Sequence, residues 1–209
     1  MRVAEACSEP KPLVLPNIPY GIAYHHEAFK GTVSISNDAL AKVVYDIGMS
    51  VAHNGIKKLV IINAHGGNSP ALNHAAQMIN RDAHVFVCVD TGETSDVDIY
   101  ALIETPNDVH AGEIETSTSL AVRPHLVKMN QAQTEVPEFS SRYLDFTSIR
   151  GVSWYAYTQK ISNSGVMGDP TKANADKGKK IWEIMIAHLV GLVEDLKSMT
   201  LDEIHHRKL

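Results

Sequence analysis

Histidine is the unusual count in this sequence, eleven in 209 residues, and three stretches place it where chemistry is possible. In Leu59-Val60-Ile61-Ile62-Asn63-Ala64-His65-Gly66-Gly67-Asn68, His65 follows an apolar run and precedes two glycines. An imidazole there can ligate a metal or move a proton; an ordinary turn histidine is the competing reading. In Tyr24-His25-His26-Glu27, a His-His-Glu cluster occupies what reads as a loop, either lining a site or facing solvent. In His110-Ala111-Gly112-Glu113-Ile114-Glu115-Thr116-Ser117, a histidine precedes two carboxylates. Glu113 and Glu115 are two apart, roughly 200° around a helix, so only one can face a site with His110. A histidine with a carboxylate suits a divalent metal or an acid/base pair. The other role open to Glu113 is to stabilise a helix N-terminus through the dipole.

These side chains need elements to position them. Leu59 to Ile62 reads as a buried strand with no polar face, the pattern of a parallel sheet. The following segment reads as a helix with Ser69 as N-cap and Pro70 at the first helical position. His65 then lies at the carboxyl end of a central strand, where open α/β sheets hold their ligands. Asn37 to Asn54 predicts an amphipathic helix, His84 to Asp90 a second buried strand, and Leu13 to Leu15 a short third one cut off by Pro16 and Pro19. Ile181, Met185, Leu189, Leu192 and Leu196 form the stripe of a last helix. This alternation of strand and helix predicts an α/β fold with a parallel sheet. His53, His74 and His84 read as surface or packing residues. Lys128 to Asn163, with Trp154, Tyr155 and Tyr157, is a long irregular excursion of the kind that forms a lid, a specificity loop or an oligomer contact.

Composition narrows the classes of function. The formal net charge of −5 gives no nucleic-acid footprint. Cys7 and Cys88 form no CxxC spacing and no disulfide framework, which suits a reducing compartment. No apolar run approaches the ~18 residues of a membrane span, and Met1 to Cys7 lacks a signal-peptide core. The expectation is a cytoplasmic protein without a membrane partner, folded as one domain over residues 1–209.

Four stretches, in their order and spacing, resemble the creatininase (creatinine amidohydrolase) family. They are Tyr20-Gly21 through His26 to Phe29-Lys30-Gly31-Thr32, Asn63-Ala64-His65-Gly66-Gly67-Asn68, His110 to Ser117, and Gly168-Asp169-Pro170-Thr171. The resemblance implies a three-layer α/β/α sandwich with a mostly parallel sheet. It implies a dinuclear centre of zinc or manganese, iron also being compatible with such ligands. The reaction it implies is hydrolysis of a cyclic or formyl-type, non-peptide amide C–N bond in a small molecule, by a homo-oligomer, hexamers among them. Some relatives trim a modified precursor peptide instead.

Carried over residue by residue, the resemblance makes His65 a metal ligand and His110 the histidine that contacts substrate in the catalytic step. Glu115 takes both a metal and a catalytic role; His26, Gly66 and Gly67 bind substrate. Gly67 stands where creatininase itself has a metal-binding glutamate, as in relatives with a His-Gly-Gly-Asn motif; Ala23 replaces a common serine and Lys30 the usual proline. The family's Glu-x-His…Asp segment, which supplies three further ligands, has no counterpart before Leu13. The expectation is therefore an N-terminally incomplete domain, the alternative being a shortened, non-catalytic relative that binds a small molecule or serves in an assembly.

Overall fold

The structure is a computed structural model describing residues 1–90, 97–141, 143–144, 152 and 154–205. The helices are α1 (Arg2–Ala6), α2 (Asn37–His53), α3 (Ser69–Asp82), α4 (Val97–Tyr100), α5 (Glu113–Val122), α6 (Ala175–Ser198) and α7 (Leu201–Ile204). The strands are β1 (Lys58–Ile62) and β2 (Phe86–Asp90). The chain divides into two compact units. The first comprises Met1–Ile22, Ser34–Ser95 and Met185–Leu209; the second comprises Ala23–Val33 and Asp96–Ile184.

The first unit is built on the sheet. β1 and β2 pair in parallel, Lys58 opposite Phe86 through Ile62 opposite Asp90. Paired residues share a face, so the alternation sorts side chains cleanly. Leu59, Ile61, Val87 and Val89 face Ala76 and Ile79 of α3 and Tyr45, Met49 and Ala52 of α2. The other face meets the C-terminal helices: Lys58 donates to the carbonyls of Leu196 and Met199. There too Phe86 meets the ring of His205 edge-on, and Asp90 lies 3.8 Å from His188. Helices thus cover both faces, as the all-apolar strands predict. Asn80 closes the outer edge of β2, accepting from Val87 N–H (2.9 Å) and donating to Val87 C=O (2.9 Å); an edge strand otherwise leaves such groups unpaired.

Two expectations are corrected. Leu13 to Leu15 is not a strand; Leu13 is 83% exposed and the segment is irregular. Pro12 and Pro16 bracket it, and prolines lack the N–H groups a ladder requires. Ser69 is not the N-cap of α3. A 3₁₀ turn, Gly66–Asn68, runs directly into the helix, so Asn68 already has helical angles (φ −78°, ψ −21°) and Ser69 begins the helix. Pro70 does lie in the first turn. α2 ends one residue before the predicted limit, with Ser36 accepting from Ala39 N–H at its start.

The second unit has no strand among its described residues. It hangs on α5, the first turns of α6, and an isolated bridge pairing His110 with Met167. Trp182 donates to the carbonyl of Thr118 (3.1 Å), and a Cβ on Gly178 would overlap the backbone of Ser117. Part of the predicted excursion, residues 142, 145–151 and 153, lies outside the described residues. No described helix is long and apolar enough to cross a membrane.

Candidate functional site

His65 belongs to the first unit, and amides and backbone carbonyls hold it there. Asn63, buried at the end of β1, accepts the N–H of His65 (3.2 Å) and a side-chain N–H of Asn68 (3.3 Å), while its own amide donates to Ser69 Oγ (3.2 Å). Asn68 Oδ1 accepts the N–H of Ile22 (2.8 Å), and the carbonyl of Ile22 lies 2.8 Å from His65 Nε2. A carbonyl can only accept, so Nε2 carries a proton, and in the neutral ring the lone pair is then on Nδ1. Metal-ligating histidines characteristically donate their second nitrogen to a backbone carbonyl in this way. Gly66 and Gly67 lie in the turn that follows, and neither has positive φ. A Cβ on Gly66 would meet no atom within 4 Å.

His26, His110 and Glu115 belong to the second unit, and there they come together. The rings of His26 and His110 stack at 4.3 Å with 26° between their planes. His110 Nδ1 lies 3.4 Å from Glu115 Oε2, and the N–H of Ala111 holds that same oxygen at 2.5 Å. The turn bearing His110 is strained: Asn107 (φ 52°) and Ala111 (φ 49°) both take left-handed angles, a cost that clusters at functional positions. His25 packs against His26 at 4.1 Å and lies 3.3 Å from the hydroxyl of Tyr155. Tyr155 and Tyr157 meet edge-on.

Glu113 has a different job. It is fully buried, accepts from the N–H groups of Glu104 (3.0 Å) and Thr105 (2.9 Å) and from Thr105 Oγ1 (2.6 Å), and is ion-paired with Lys177. Burial pushes its carboxyl up, but Lys177 and Thr105 outweigh that and hold it below its ordinary value. Asp108 caps α5, accepting from Glu113 N–H (2.7 Å) and Ile114 N–H (2.9 Å). Burial raises the carboxyl of Asp108 despite those two bonds. Gly112 and Gly168 close around it; a Cβ on either would overlap its carboxylate. Asp169 accepts from Thr134 Oγ1 (2.7 Å) and Thr171 N–H (3.0 Å), so the Gly168-Asp169-Pro170-Thr171 stretch is a structural brace.

Three contributors escape sequence reading. Thr158, 1% exposed, sits with Oγ1 2.9 Å from His26 Nδ1, far from it in the chain. Ile22 acts through its backbone, which its side chain does not advertise. Asn68 was visible as the asparagine closing the glycine turn, but nothing local showed that it reaches Ile22. His53, His74 and His84 are exposed, as expected. Among the described residues no group of three or more His, Cys, Asp or Glu is placed to hold a metal ion. His65 therefore has the surroundings of a ligand, while the described residues do not by themselves complete a cage.

A family model, Creatininase, described as creatinine amidohydrolase, matches residues 1–193. The chain is 31% identical over 188 residues to a mycofactocin precursor peptide peptidase of Mycobacterium ulcerans (strain Agy99), covering 88% of this chain and 67% of that protein. It is 22% identical over 213 residues to a creatinine amidohydrolase of Pseudomonas putida, covering 93% and 77%. A crystal structure of a creatinine amidohydrolase (creatininase) superposes with a TM-score of 0.76 at 24% identity, covering 95% of this chain and 80% of that one. At that identity the likeness shows the fold. Related creatininase structures are described in Zn–Zn and Mn forms. The chain spans about two thirds of the length of the mycofactocin peptidases it matches, from 62% to 67%.

Proposed function

Because this chain belongs to the creatininase family, we propose that it serves as a hydrolase of amide C–N bonds, with His110 moving the proton. The supporting observation is the pairing of His110 Nδ1 with Glu115 Oε2 at 3.4 Å on a strained turn. A carboxylate beside Nδ1 favours the Nδ1–H tautomer and leaves Nε2 to act as base. In that role Nε2 takes a proton from water as its oxygen attacks the amide carbonyl carbon. Glu115 stabilises the imidazolium so formed. His110 then passes the proton to the leaving nitrogen as the C–N bond breaks, giving a carboxylic acid and an amine. The Ala111 N–H keeps Glu115 from swinging away during this cycle, and His26, anchored by Thr158, supports the face of the His110 ring.

The proposal extends to His65 as a ligand for a divalent ion such as the zinc or manganese of the solved relatives and to Gly66 and Gly67 as the open turn beside it. No step above runs through an ion, because the described residues do not complete its cage. The substrate we favour is a small cyclic or formyl-type amide. A peptide amide is the second reading, favoured by the higher identity to the mycofactocin peptidases than to creatinine amidohydrolase. A homo-oligomer is also part of the proposal, to be read by light scattering.

The test is turnover of creatinine, a formamido-pyrimidine and short peptides, with Zn²⁺ or Mn²⁺ supplied, by the wild type and by His110→Ala. Hydrolysis of one class, lost in the variant, is expected. Equal turnover in both proteins would overturn the role of His110. Binding of an amide with no hydrolysis would favour the non-catalytic alternative.

A further inference from the structure

We propose that Asn68 is a positioning residue for His65, acting through the backbone of Ile22 to set which ring nitrogen of His65 bears the proton. Its use to the protein rests on the reading of His65 as a ligand, but the geometry stands apart from that reading. Asn68 Oδ1 takes the N–H of Ile22 at 2.8 Å. The carbonyl of the same residue takes His65 Nε2 at 2.8 Å. One residue thus donates to the asparagine and accepts from the histidine, so the position of Ile22 is transmitted from the first contact to the second.

The clamp is tied at every corner. Ile22 is buried, and the adjacent carbonyl of Gly21 accepts from Ile35 N–H at 3.0 Å. Asn68 returns to the His65 segment twice, through its backbone N–H to the carbonyl of His65 (3.0 Å) and through its side chain to Asn63 Oδ1 (3.3 Å). Gly21 leaves room for this arrangement: a Cβ there would come within 2.5 Å of Asn68 Oδ1. The carbonyl of Ile22 takes the Nε2 proton, so the clamp holds the Nε2–H tautomer of the neutral imidazole. That tautomer suits a ligand nitrogen at Nδ1.

The tautomer can be read directly. Long-range ¹H–¹⁵N correlation spectra of the uniformly ¹⁵N-labelled chain, above the imidazole titration range, separate Nε2–H from Nδ1–H rings, and His65→Gln assigns the signals. The wild type should show a single Nε2–H form. Asn68→Ala should give a mixture, and its affinity for Zn²⁺ should fall by about tenfold or more, the usual effect of losing such an outer partner. Asn68→Asp, which keeps an oxygen toward Ile22, should restore the single form. Gly21→Ala attacks the same contact from the opposite side and should disturb the same signals, which keeps the test open should Asn68→Ala fail to fold. A single Nε2–H form in both Asn68→Ala and Gly21→Ala, or unchanged zinc affinity in both, overturns the proposal. Turnover by His110→Ala reports on hydrolysis alone, so the two ideas fail separately.

Discussion

The two histidine loops are held in opposite ways. The His65 loop is unstrained, with His65 itself in extended backbone (φ −158°, ψ 123°), and its anchors are amides and carbonyls. The His110 loop carries two left-handed non-glycine residues, and its anchors are charged: Glu115 beside the ring, and Asp108 and the Glu113–Lys177 pair at the head of α5. A neutral clamp fixes a tautomer. A carboxylate partner lets a ring gain and lose a proton at small cost. The difference is consistent with the two proposed roles, ligand for His65 and proton carrier for His110.

The largest effect expected from this contrast is kinetic. His110→Ala should lower turnover of whichever amide is hydrolysed by about 10²- to 10⁴-fold, the usual worth of a positioned acid/base group. Steady-state rates check it, with circular dichroism to confirm the fold; a loss below tenfold would make the two loops equivalent.

Next is the charged anchor. Lys177→Met leaves Glu113 buried beside an apolar side chain, and denaturant unfolding should show a loss of about 3–5 kcal/mol. A loss below about 1 kcal/mol would mean that the amides of Glu104 and Thr105 suffice, and the two units would then be anchored alike.

The neutral counterpart in the first unit is Asn80. Asn80→Ala strips partners from both backbone groups of Val87 and should cost about 1–3 kcal/mol, read by the same unfolding measurement, with no dependence on salt. A salt-dependent loss would show that charged groups also brace that edge of β2.

The smallest effect is in pH. The Ser164 hydroxyl, then the amides of Asn163 and Ser164, hold the Glu135 carboxyl down to about 2. Its folded value lies below its ordinary 4.5. The stability it contributes is therefore complete above that value and is lost as pH falls toward 2. Glu113 is also held low and has the same sign. Asp108, raised by burial, has the opposite sign: its contribution is present below the ordinary carboxylate range and is lost as pH rises through its raised value. Glu135→Gln should flatten the acid limb of a stability–pH curve between about 4.5 and 2. The first unit has a depressed carboxyl in Glu194, also about 2, but that group is tied to Ser8 and not to the His65 loop. Asn68→Ala, which adds no titratable group, should therefore leave the wild-type limb in place; a changed limb in that variant would blur the comparison.

What was legible in the sequence followed from periodicity. The stripe from Ile181 to Leu196 announces a buried face and is one, with Ile181, Leu189 and Leu196 buried. Of the run Leu59 to Ile62, Leu59 and Ile61 join the α2–α3 cluster while Ile62 is exposed, and on α2 the buried face runs through Leu40, Ala41 and Val44 and leaves Ile47 exposed. The illegible part came from groups without a pattern. Leu13 to Leu15 looks apolar enough for a strand, but hydropathy does not count N–H groups, and the flanking prolines have none. The pairing of His110 with Glu115, and the turning away of Glu113, follow from the 100° step of a helix. The partners that fix Glu113, Lys177 and Thr105, are set by tertiary packing and leave no trace in local spacing. Thr158 beneath His26 is the same case: a buried hydroxyl distant in the chain from the ring it holds.

Gly21 and Asn68 have a consequence for how this lineage can change. A methyl group on Gly21 would press within 2.5 Å of Asn68 Oδ1, so position 21 cannot gain a side chain while Asn68 keeps its place. Substitution at 21 first requires a smaller or displaced side chain at 68, and that step uncouples Ile22 from His65 before any benefit is gained. A change at 21 should therefore be found only where 68 has changed too. A family member with a side chain at the first should lack the amide at the second, and should orient the histidine that corresponds to His65 by some other group.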